Sequence, residues 1–268
     1  MNKHGIYVYC VGARAELEAL FAAALPASIE TDAPLEMITT EDLCAVASAV
    51  PLADYGEEEL PARLADAPWT AVRAMRHERV VEHFARRASV VPLRFGTIYL
   101  ARANVERMLA ERGAELHKAI ARLRGREEWG VHIYCDRTRL LAQIVTLSPR
   151  LRELSAQAEH ATPGQSYLLQ KKIETLRADE ARAESRRVAG EVERMLAGVS
   201  AGVARLRVLK DEASEHGDTV AKFAYLMERA RFAEFRAAAE QLADEHASAG
   251  YKLELTGPWP AYNFTGGA

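Results

Sequence analysis

One order of sequence patterns occurs twice along the chain, and it limits the possible folds more strongly than any single motif. Between residues 5 and 96, segments of alternating apolar residues and segments of helical periodicity follow each other in the order β-α-β-β-α-β. A second series in the same order begins at Trp129 and closes at residues 251–255. This order is that of the ferredoxin-like fold, in which two helices cover one face of an antiparallel sheet. It therefore predicts an α+β protein with two domains, each a variation on that fold.

The positions of the two series define the predicted domains. Residues 1–125 form an N-terminal ferredoxin-like domain with a connecting helix, and residues 126–250 form a C-terminal ferredoxin-like domain with long helices. Residues 251–268 supply a closing strand and a tail rich in proline and aromatic residues. The 268 residues are enough for two domains of ordinary size.

In the N-terminal series, both faces of the first strand are apolar or aromatic, which indicates a central strand covered on both sides. The fourth strand contains Pro92, which cannot donate a ladder hydrogen bond, so this strand is expected at an edge or a bulge. The predicted elements are strands at 5–11, 35–39, 43–50 and 90–95, helices at 14–24 and 69–88, and an acidic loop at 51–68. The second helix is expected to bury one stripe, formed by Trp69, Val72, Met75, Val80 and Phe84.

The second series is expected to carry a long helical arm. A charged connecting helix at 102–124 precedes it, and its main helix at about 165–200 has seven charged residues among the eleven from Arg177 to Arg187. Such a helix is largely solvated, and we expect it to project as an antiparallel arm with residues 148–160. The remaining predicted elements are strands at 129–135, 203–209, 219–227 and 251–255 and a helix at 229–248.

Composition excludes several classes of protein. Hydrophobic residues make up 49% and charged residues 27%, as in globular proteins, and the net charge of −3 argues against nucleic-acid binding. No window approaches eighteen consecutive apolar residues, so we expect no membrane span. The first residues are interpreted as a strand, not a signal peptide, and the isolated Cys10, Cys44 and Cys135 as reduced thiols. These features predict a cytoplasmic protein.

The usual signatures of catalysis and metal binding are missing from the sequence. It contains no dinucleotide-binding, phosphate-binding, nucleophile-elbow or zinc-protease motif. His77 and His83 are six residues apart, which does not place two ligands on one helical face. Cys135 and His132 should point to opposite faces of a strand, and the acidic stretch from Asp211 to Asp218 lacks the spacing of a calcium loop. We therefore predict no enzyme activity, no metal and no cofactor.

Two segments nevertheless favour a binding role. In Pro92-Leu93-Arg94-Phe95, an arginine lies between apolar residues of a predicted edge strand, where it either pairs with a helix acid or binds a partner. In the tail, Pro260 and its neighbours stiffen a backbone that presents Trp259, Tyr262 and Phe264. These aromatic residues either anchor a partner or pack back and seal the core of their own domain.

Four segments together resemble the gas vesicle GvpL/GvpF family, and they span nearly the whole chain in the family's order. Two are specific: Val91-Pro92-Leu93-Arg94-Phe95-Gly96-Thr97, and the ending from Leu255 to Phe264. The other two are the opening Ile6-Tyr7-Val8-Tyr9 and the helix start Pro163-Gly164-Gln165-Ser166-Tyr167-Leu168. Ala261 departs from the pattern, since the family often has a second proline there. The resemblance does not separate a GvpL role from a GvpF role.

The resemblance implies a non-catalytic accessory or assembly factor, associated with gas vesicles, that contacts the small apolar shell protein GvpA and other accessory proteins. Our hypothesis is that an edge strand and aromatic anchors cover the apolar shell subunit until it joins the wall. The candidate contact residues are Pro92, Leu93, Arg94, Phe95, Trp259, Pro260, Tyr262 and Phe264.

Two alternatives remain open. An RNA-binding ferredoxin-like module would stack bases on Tyr7 and Tyr9, the only candidate pair of aromatic residues on a suitable strand. A small-molecule enzyme would use the acidic stretch between Asp211 and Asp218.

Overall fold

The computed structural model describes residues 3–208, 213–214 and 216–266. The chain divides into two compact units. The first unit comprises Met1–Glu128 together with Trp259–Ala268, and the second comprises Trp129–Pro258. The tail therefore belongs to the unit that holds the N-terminal half of the chain.

The first unit follows the predicted order of strands and helices, with additional short elements. In chain order its elements are β1 (His4–Ala13), α1 (Arg14–Phe21), β2 (Glu36–Thr39), β3 (Leu43–Pro51), α2 (Leu52–Tyr55), α3 (Leu60–Ala65), α4 (Ala67–Ala85), β4 (Val90–Pro92), β5 (Ile98–Tyr99), α5 (Arg102–Glu111) and α6 (Gly113–Leu123). A 3-10 turn at Tyr262–Phe264 completes it.

The sheet of the first unit has the ferredoxin-like strand order. The order is β2-β3-β1-β4, and β5 also pairs with β1. β1 runs antiparallel to β3 and β4, with Val11 opposite both Ala45 and Val91, and β2 runs antiparallel to β3. The predicted fold class is confirmed, as are the central position of β1 and the edge position of the strand that contains Pro92.

Both faces of this sheet are covered by helices. Tyr7, Tyr9 and Val46 belong to one buried cluster with α4 residues such as Val80 and Phe84. α5 and α6 pack against strands of the same sheet, and their apolar residues are buried there, including Val105, Leu109, Leu116, Ile120 and Leu123. The segment predicted as one connecting helix is thus two helices, divided at Arg112, that cover the second face.

Two further predictions for the first unit are wrong. The acidic stretch at 51–68 contains the short helices α2 and α3, so it is not simply a loop. Helix α4 buries His77, Val80, Val81 and Phe84, while the predicted core residues Val72 and Met75 are 41% and 56% exposed. Each residue turns a helix by about 100°, which places Val72 and Met75 well away from the buried face.

The second unit repeats the same strand order with longer helices. Its elements are β6 (Arg126–Cys135), α7 (Arg137–Leu147), α8 (Pro149–Glu159), α9 (Pro163–Ala197), β7 (Gly202–Leu206), β8 (Ala213–Ser214), β9 (Gly217–Glu228), α10 (Phe232–Ala247) and β10 (Tyr251–Trp259). The sheet order is β10-β6-β9-β7, and β8 pairs with β9.

The predicted helical arm is present. α9 has 35 residues, and α8 packs against it after the short connection at 160–162. Gln165 caps the start of α9, because its Oε1 accepts from Thr162 N at 3.3 Å. The predicted strand at 203–209 ends at Leu206, and its last residue, Leu209, lies outside the described residues.

Candidate partner-binding site

The core of the first unit contains polar side chains. They occupy positions of a strand and a helix where the sequence patterns predict apolar residues. Tyr7 and Tyr9 of β1 and His77 of α4 are fully buried. Tyr7 OH lies 3.0 Å from His77 Nδ1, and the imidazole stacks on the Tyr9 ring with centroids 5.8 Å apart. Tyr9 OH is in turn 2.8 Å from Ser48 Oγ on β3. This cluster ties the helix to the centre of the sheet.

The turn that follows β4 is fixed to this cluster. Gly96 N donates to Tyr7 OH at 2.9 Å, and Leu93 N donates to Tyr9 O at 2.8 Å. Thr97 Oγ1 closes the turn by donating to Arg94 O at 2.7 Å. Gly96 has a φ of +84°, a conformation that glycine adopts without a steric penalty.

The side chains of this turn are not equally accessible. Pro92 and Leu93 are buried, and Phe95 is half-buried, with its ring perpendicular to that of His77 and the two centroids 5.8 Å apart. Arg94 is exposed, and it forms no ion pair with any residue that the structure describes. The prediction that Arg94 lies in an edge strand is wrong, because β4 ends at Pro92 and Arg94 belongs to the turn that Thr97 closes.

The C-terminal tail packs onto the same unit through three consecutive residues. Tyr262 OH lies 3.1 Å from His77 Nε2 and donates to Glu78 Oε1 at 2.8 Å. Asn263 donates to both oxygens of Glu128, from its backbone N at 3.0 Å and its side-chain amide at 2.6 Å. Phe264 is buried, and its ring lies under the Arg122 guanidinium at 5.7 Å.

The positions of the tail residues fit the core-sealing interpretation in part. Pro260 and Phe264 are buried and Tyr262 is half-buried, so these residues pack on their own unit. Trp259 differs, because 52% of it is exposed. The tail therefore combines fixed anchors with one aromatic ring that remains accessible.

The hydrogen bonds that link the turn and the tail through His77 can all form when each hydroxyl and the imidazole donate in one consistent direction. Tyr7 OH accepts from Gly96 N, so its own proton is available to His77 Nδ1. The imidazole then carries its proton on Nε2 and donates to Tyr262 OH, which donates to Glu78. A second proton on the ring would leave the Tyr7 hydroxyl proton without an acceptor. The arrangement thus favours a neutral His77.

The pKa values in this cluster follow from burial. Burial lowers the pKa of His77 to about 4, against the weaker opposing effect of a hydrogen bond with the Leu93 backbone. Burial also raises the pKa of Tyr9 to about 12 and raises the pKa values of Tyr7 and Tyr262 still further. These groups are therefore uncharged at neutral pH, and they act as hydrogen-bonding groups that hold structure.

His77 is the residue that sequence reasoning missed. The sequence presents it only as a possible metal ligand beside His83, yet it joins the opening strand, the turn after β4 and the tail. Those three segments are among the four that carry the family resemblance. A histidine at a position where a helix buries its apolar face is the signal that could have identified it.

The positions of these residues also bear on the two alternative functions, an RNA-binding module and a small-molecule enzyme. Tyr7 and Tyr9 are fully buried, so neither ring offers a face to an RNA base. Cys135 is buried, and burial raises the pKa of its thiol to about 11, which suppresses the thiolate. His132 lies 3.3 Å from the hydroxyl of Tyr134, on the face opposite to Cys135.

Within residues 3–208, 213–214 and 216–266, no three His, Cys, Asp or Glu side chains come together as a metal site would require. Most of the acidic stretch from Asp211 to Glu215 lies outside the described residues. No helix in the described part of the chain is long and apolar enough to cross a membrane.

Comparison with known proteins gives a consistent set of relatives. The chain is 32% identical over 238 residues to gas vesicle protein L of Streptomyces sp., covering 87% of this chain and 84% of that protein. It is 27% identical over 194 residues to gas vesicle protein L2 of Halobacterium salinarum, covering 70% of this chain and 68% of that protein.

Solved structures share the fold. The crystal structure of GvpF from Anabaena sp. aligns with a TM-score of 0.67 at 17% identity, over 99% of this chain and 97% of that chain. GvpF from Microcystis aeruginosa aligns with a TM-score of 0.62, also at 17% identity, over 97% of this chain and 98% of that chain. The family model described as gas vesicle synthesis protein GvpL/GvpF matches residues 5–266. The chain therefore belongs to the GvpL/GvpF family of gas vesicle synthesis proteins.

Proposed function

We propose that this chain is a non-catalytic accessory protein that binds the apolar shell protein GvpA, and other accessory proteins, in the cytoplasm during gas vesicle assembly. Family membership across residues 5–266 supports the assembly role. The shell subunit must be kept from aggregating before it joins the wall, so an accessory protein has to offer it a surface that binds apolar groups reversibly.

The exposed ring of Trp259 is the observation that carries the proposed binding surface. It is 52% exposed although the tail residues beyond it are anchored at Tyr262, Asn263 and Phe264. Pro260, which follows it, is buried and restricts the backbone. A large ring on a restrained backbone loses little conformational entropy when a partner covers it.

Arg94 supplies the polar part of the proposed surface. The hydrogen bonds of Gly96 and Thr97 fix the turn that presents it, and its guanidinium has no acidic partner among the described residues. Phe95 beside it is half-buried. Such a turn suits a partner that carries a carboxylate next to apolar side chains.

The other candidate contact residues have supporting roles in this proposal. Pro92, Leu93, Pro260 and Phe264 are buried, so they hold the turn and the tail in place and do not meet the partner directly. A partner strand could form few backbone hydrogen bonds beside Pro92, because β4 has three residues and one of them lacks an N–H.

Capture of GvpA by the immobilised full-length chain tests this surface. We expect Trp259→Ala and Arg94→Glu to keep the wild-type melting temperature and to lose most of the captured shell protein. Met75→Ala, which removes another exposed apolar side chain of the same unit, should capture as much as the wild type. Full capture by a folded Trp259→Ala variant would show that this tail does not contact the shell protein.

A further inference from the structure

The outer edge of the second sheet has a self-complementary sequence. β10 is the end strand in the order β10-β6-β9-β7, so one of its backbone edges has no neighbouring strand among the described residues. Along this strand Lys252 and Glu254 alternate with the apolar Tyr251, Leu253 and Leu255. An unpaired strand edge is a template for pairing with another strand.

We propose that a second copy of this chain binds at β10, so that two antiparallel β10 strands join the sheets of two second units. With the two-fold axis at Leu253, Lys252 of each copy lies opposite Glu254 of the other copy. Leu253 of one copy then lies opposite Leu253 of the other, and Tyr251 of each copy lies opposite Leu255 of the other. Directly opposite side chains in an antiparallel pair have Cβ atoms about 5 Å apart, which brings each Lys and Glu into contact.

Lys252 and Glu254 each have hydrogen-bonding capacity left for these cross-strand pairs. Lys252 is exposed, and its Nζ donates one of three protons to His216 Nε2 at 2.7 Å. Glu254 accepts the Tyr134 hydroxyl on Oε2 at 3.0 Å, and His132 Nδ1 lies 3.9 Å from that same oxygen. The second oxygen, Oε1, has no hydrogen-bond partner among the described residues.

The opposite face of β10 offers apolar surface to the second copy. A groove of about 370 Å³ runs between β10 and α10, and its lining combines the apolar Trp129, Phe232, Leu253 and Leu255 with the charged Arg236 and Glu240. Glu254 also lines it, so three consecutive residues of the strand contribute to one wall.

The other edge of the same sheet does not have this property. β7 carries the exposed Arg205, and the exposed Arg207 follows it, so antiparallel self-pairing about Leu206 would place arginines opposite each other. Like charges directly opposite destabilise a pair of strands. Self-pairing at β10 is therefore favoured over self-pairing at β7 by charge.

In the first unit, neither edge is suited to strand addition. At β2, Arg102 of α5 donates to the backbone Met37 O at 3.0 Å, which occupies one main-chain acceptor of that strand, and to the side-chain Glu36 Oε2 at 3.2 Å. β4 is three residues long and ends in Pro92. The dimer proposal does not depend on GvpA binding, so either can fail without the other.

Charge reversal tests the proposal with the purified full-length chain. We expect light scattering after size exclusion, and sedimentation velocity, to show a dimer for the wild type. Lys252→Glu and Glu254→Lys each turn two attractive cross-strand pairs into repulsive ones, so each should raise the dimer dissociation constant roughly thirtyfold. An equimolar mixture of the two variants should form a heterodimer, because all its cross-strand pairs are attractive.

The controls separate this dimer from other outcomes. Lys172→Glu makes the same charge change on the exposed surface of α9 and should leave the dimer intact. If Glu254→Lys destabilises the unit by losing the Tyr134 hydrogen bond, Lys252→Glu, which keeps Glu254 and that hydrogen bond, serves as the second test. A wild type that stays monomeric at all accessible concentrations, or a dimer unaffected by either reversal, would overturn the proposal.

Discussion

The buried His77 links pH to the stability of the first unit, and this link can be measured. Its pKa is about 4 in the folded chain, against roughly 6.5 in an unfolded one. Because the folded value is the lower one, the unfolded chain binds more protons as the pH falls. His77 therefore contributes stability that is fully present above about pH 6.5 and is lost as the pH falls toward its folded pKa.

The size of the effect follows from these two values. Between about pH 7.5 and about pH 5, titration of His77 alone should lower the free energy of unfolding by about 2 kcal/mol. The loss should approach about 3 kcal/mol below the folded pKa, since one pKa unit corresponds to roughly 1.4 kcal/mol. His77 is fully buried, so solvent screening does not reduce this figure much.

Comparison with His77→Gln isolates this contribution. Glutamine can still donate toward Tyr262 but does not titrate. The carboxyl of Glu78, whose pKa burial raises, works in the opposite direction and is present in both proteins. In urea unfolding followed by circular dichroism, the variant should be less stable near neutral pH and should lose about 2 kcal/mol less on acidification.

His4→Gln provides a control, because the His4 side chain is exposed at the start of β1 and forms no ion pair with any described residue. It should lose stability on acidification about as the wild type does. Parallel curves for wild type and His77→Gln would refute the argument, since they would mean that His77 is not buried as a neutral group.

Two other predictions concern the tail and the turn. Asn263→Ala removes two hydrogen bonds from Glu128, a carboxylate that is 5% exposed, and should cost about 3 kcal/mol in urea unfolding; an unchanged midpoint would contradict the observed packing. Gly96→Ala forces a side chain into a φ of +84° and should lower stability by about 1–2 kcal/mol. Gly164→Ala, in the first turn of α9 with open space around it, should be neutral or stabilising.

The sequence predicted the fold because the order of its periodic segments is nearly sufficient for the ferredoxin-like topology. The segments of alternating apolar residues and the segments of helical periodicity depend on local patterns that persist in the folded chain. Pro92 predicted the edge position of its strand because proline has no N–H to donate to a neighbouring strand. These features require no knowledge of distant contacts.

The errors arose where tertiary contacts outweigh the local pattern. Val72 and Met75 are apolar and near the spacing of a core stripe, yet α4 turns His77 toward the sheet and leaves them exposed. The hydrogen bonds of His77 with Tyr7 and Tyr262 join residues 70 and 185 positions apart. No local pattern indicates such a partner, so periodicity alone favours the wrong face.

The candidate site was predictable only in outline. The aromatic residues of the tail were identified from their type, but their burial depends on pairings with Glu128, Glu78 and Arg122 that the sequence does not reveal. Trp259 is the residue of this group that remains accessible, at 52%. A partner can contact only exposed side chains, and the exposure of each residue depends on how the turn after β4 and the tail are folded.

We propose that the surface around Trp259 contacts the shell protein during assembly. Site-specific crosslinking in vesicle-forming cells can detect that contact. A photoreactive phenylalanine derivative would replace Trp259 in one strain and Met75 in another. We predict crosslinks to GvpA from position 259 and none above background from position 75. Normal vesicle formation with no GvpA crosslink from position 259 would contradict the claim.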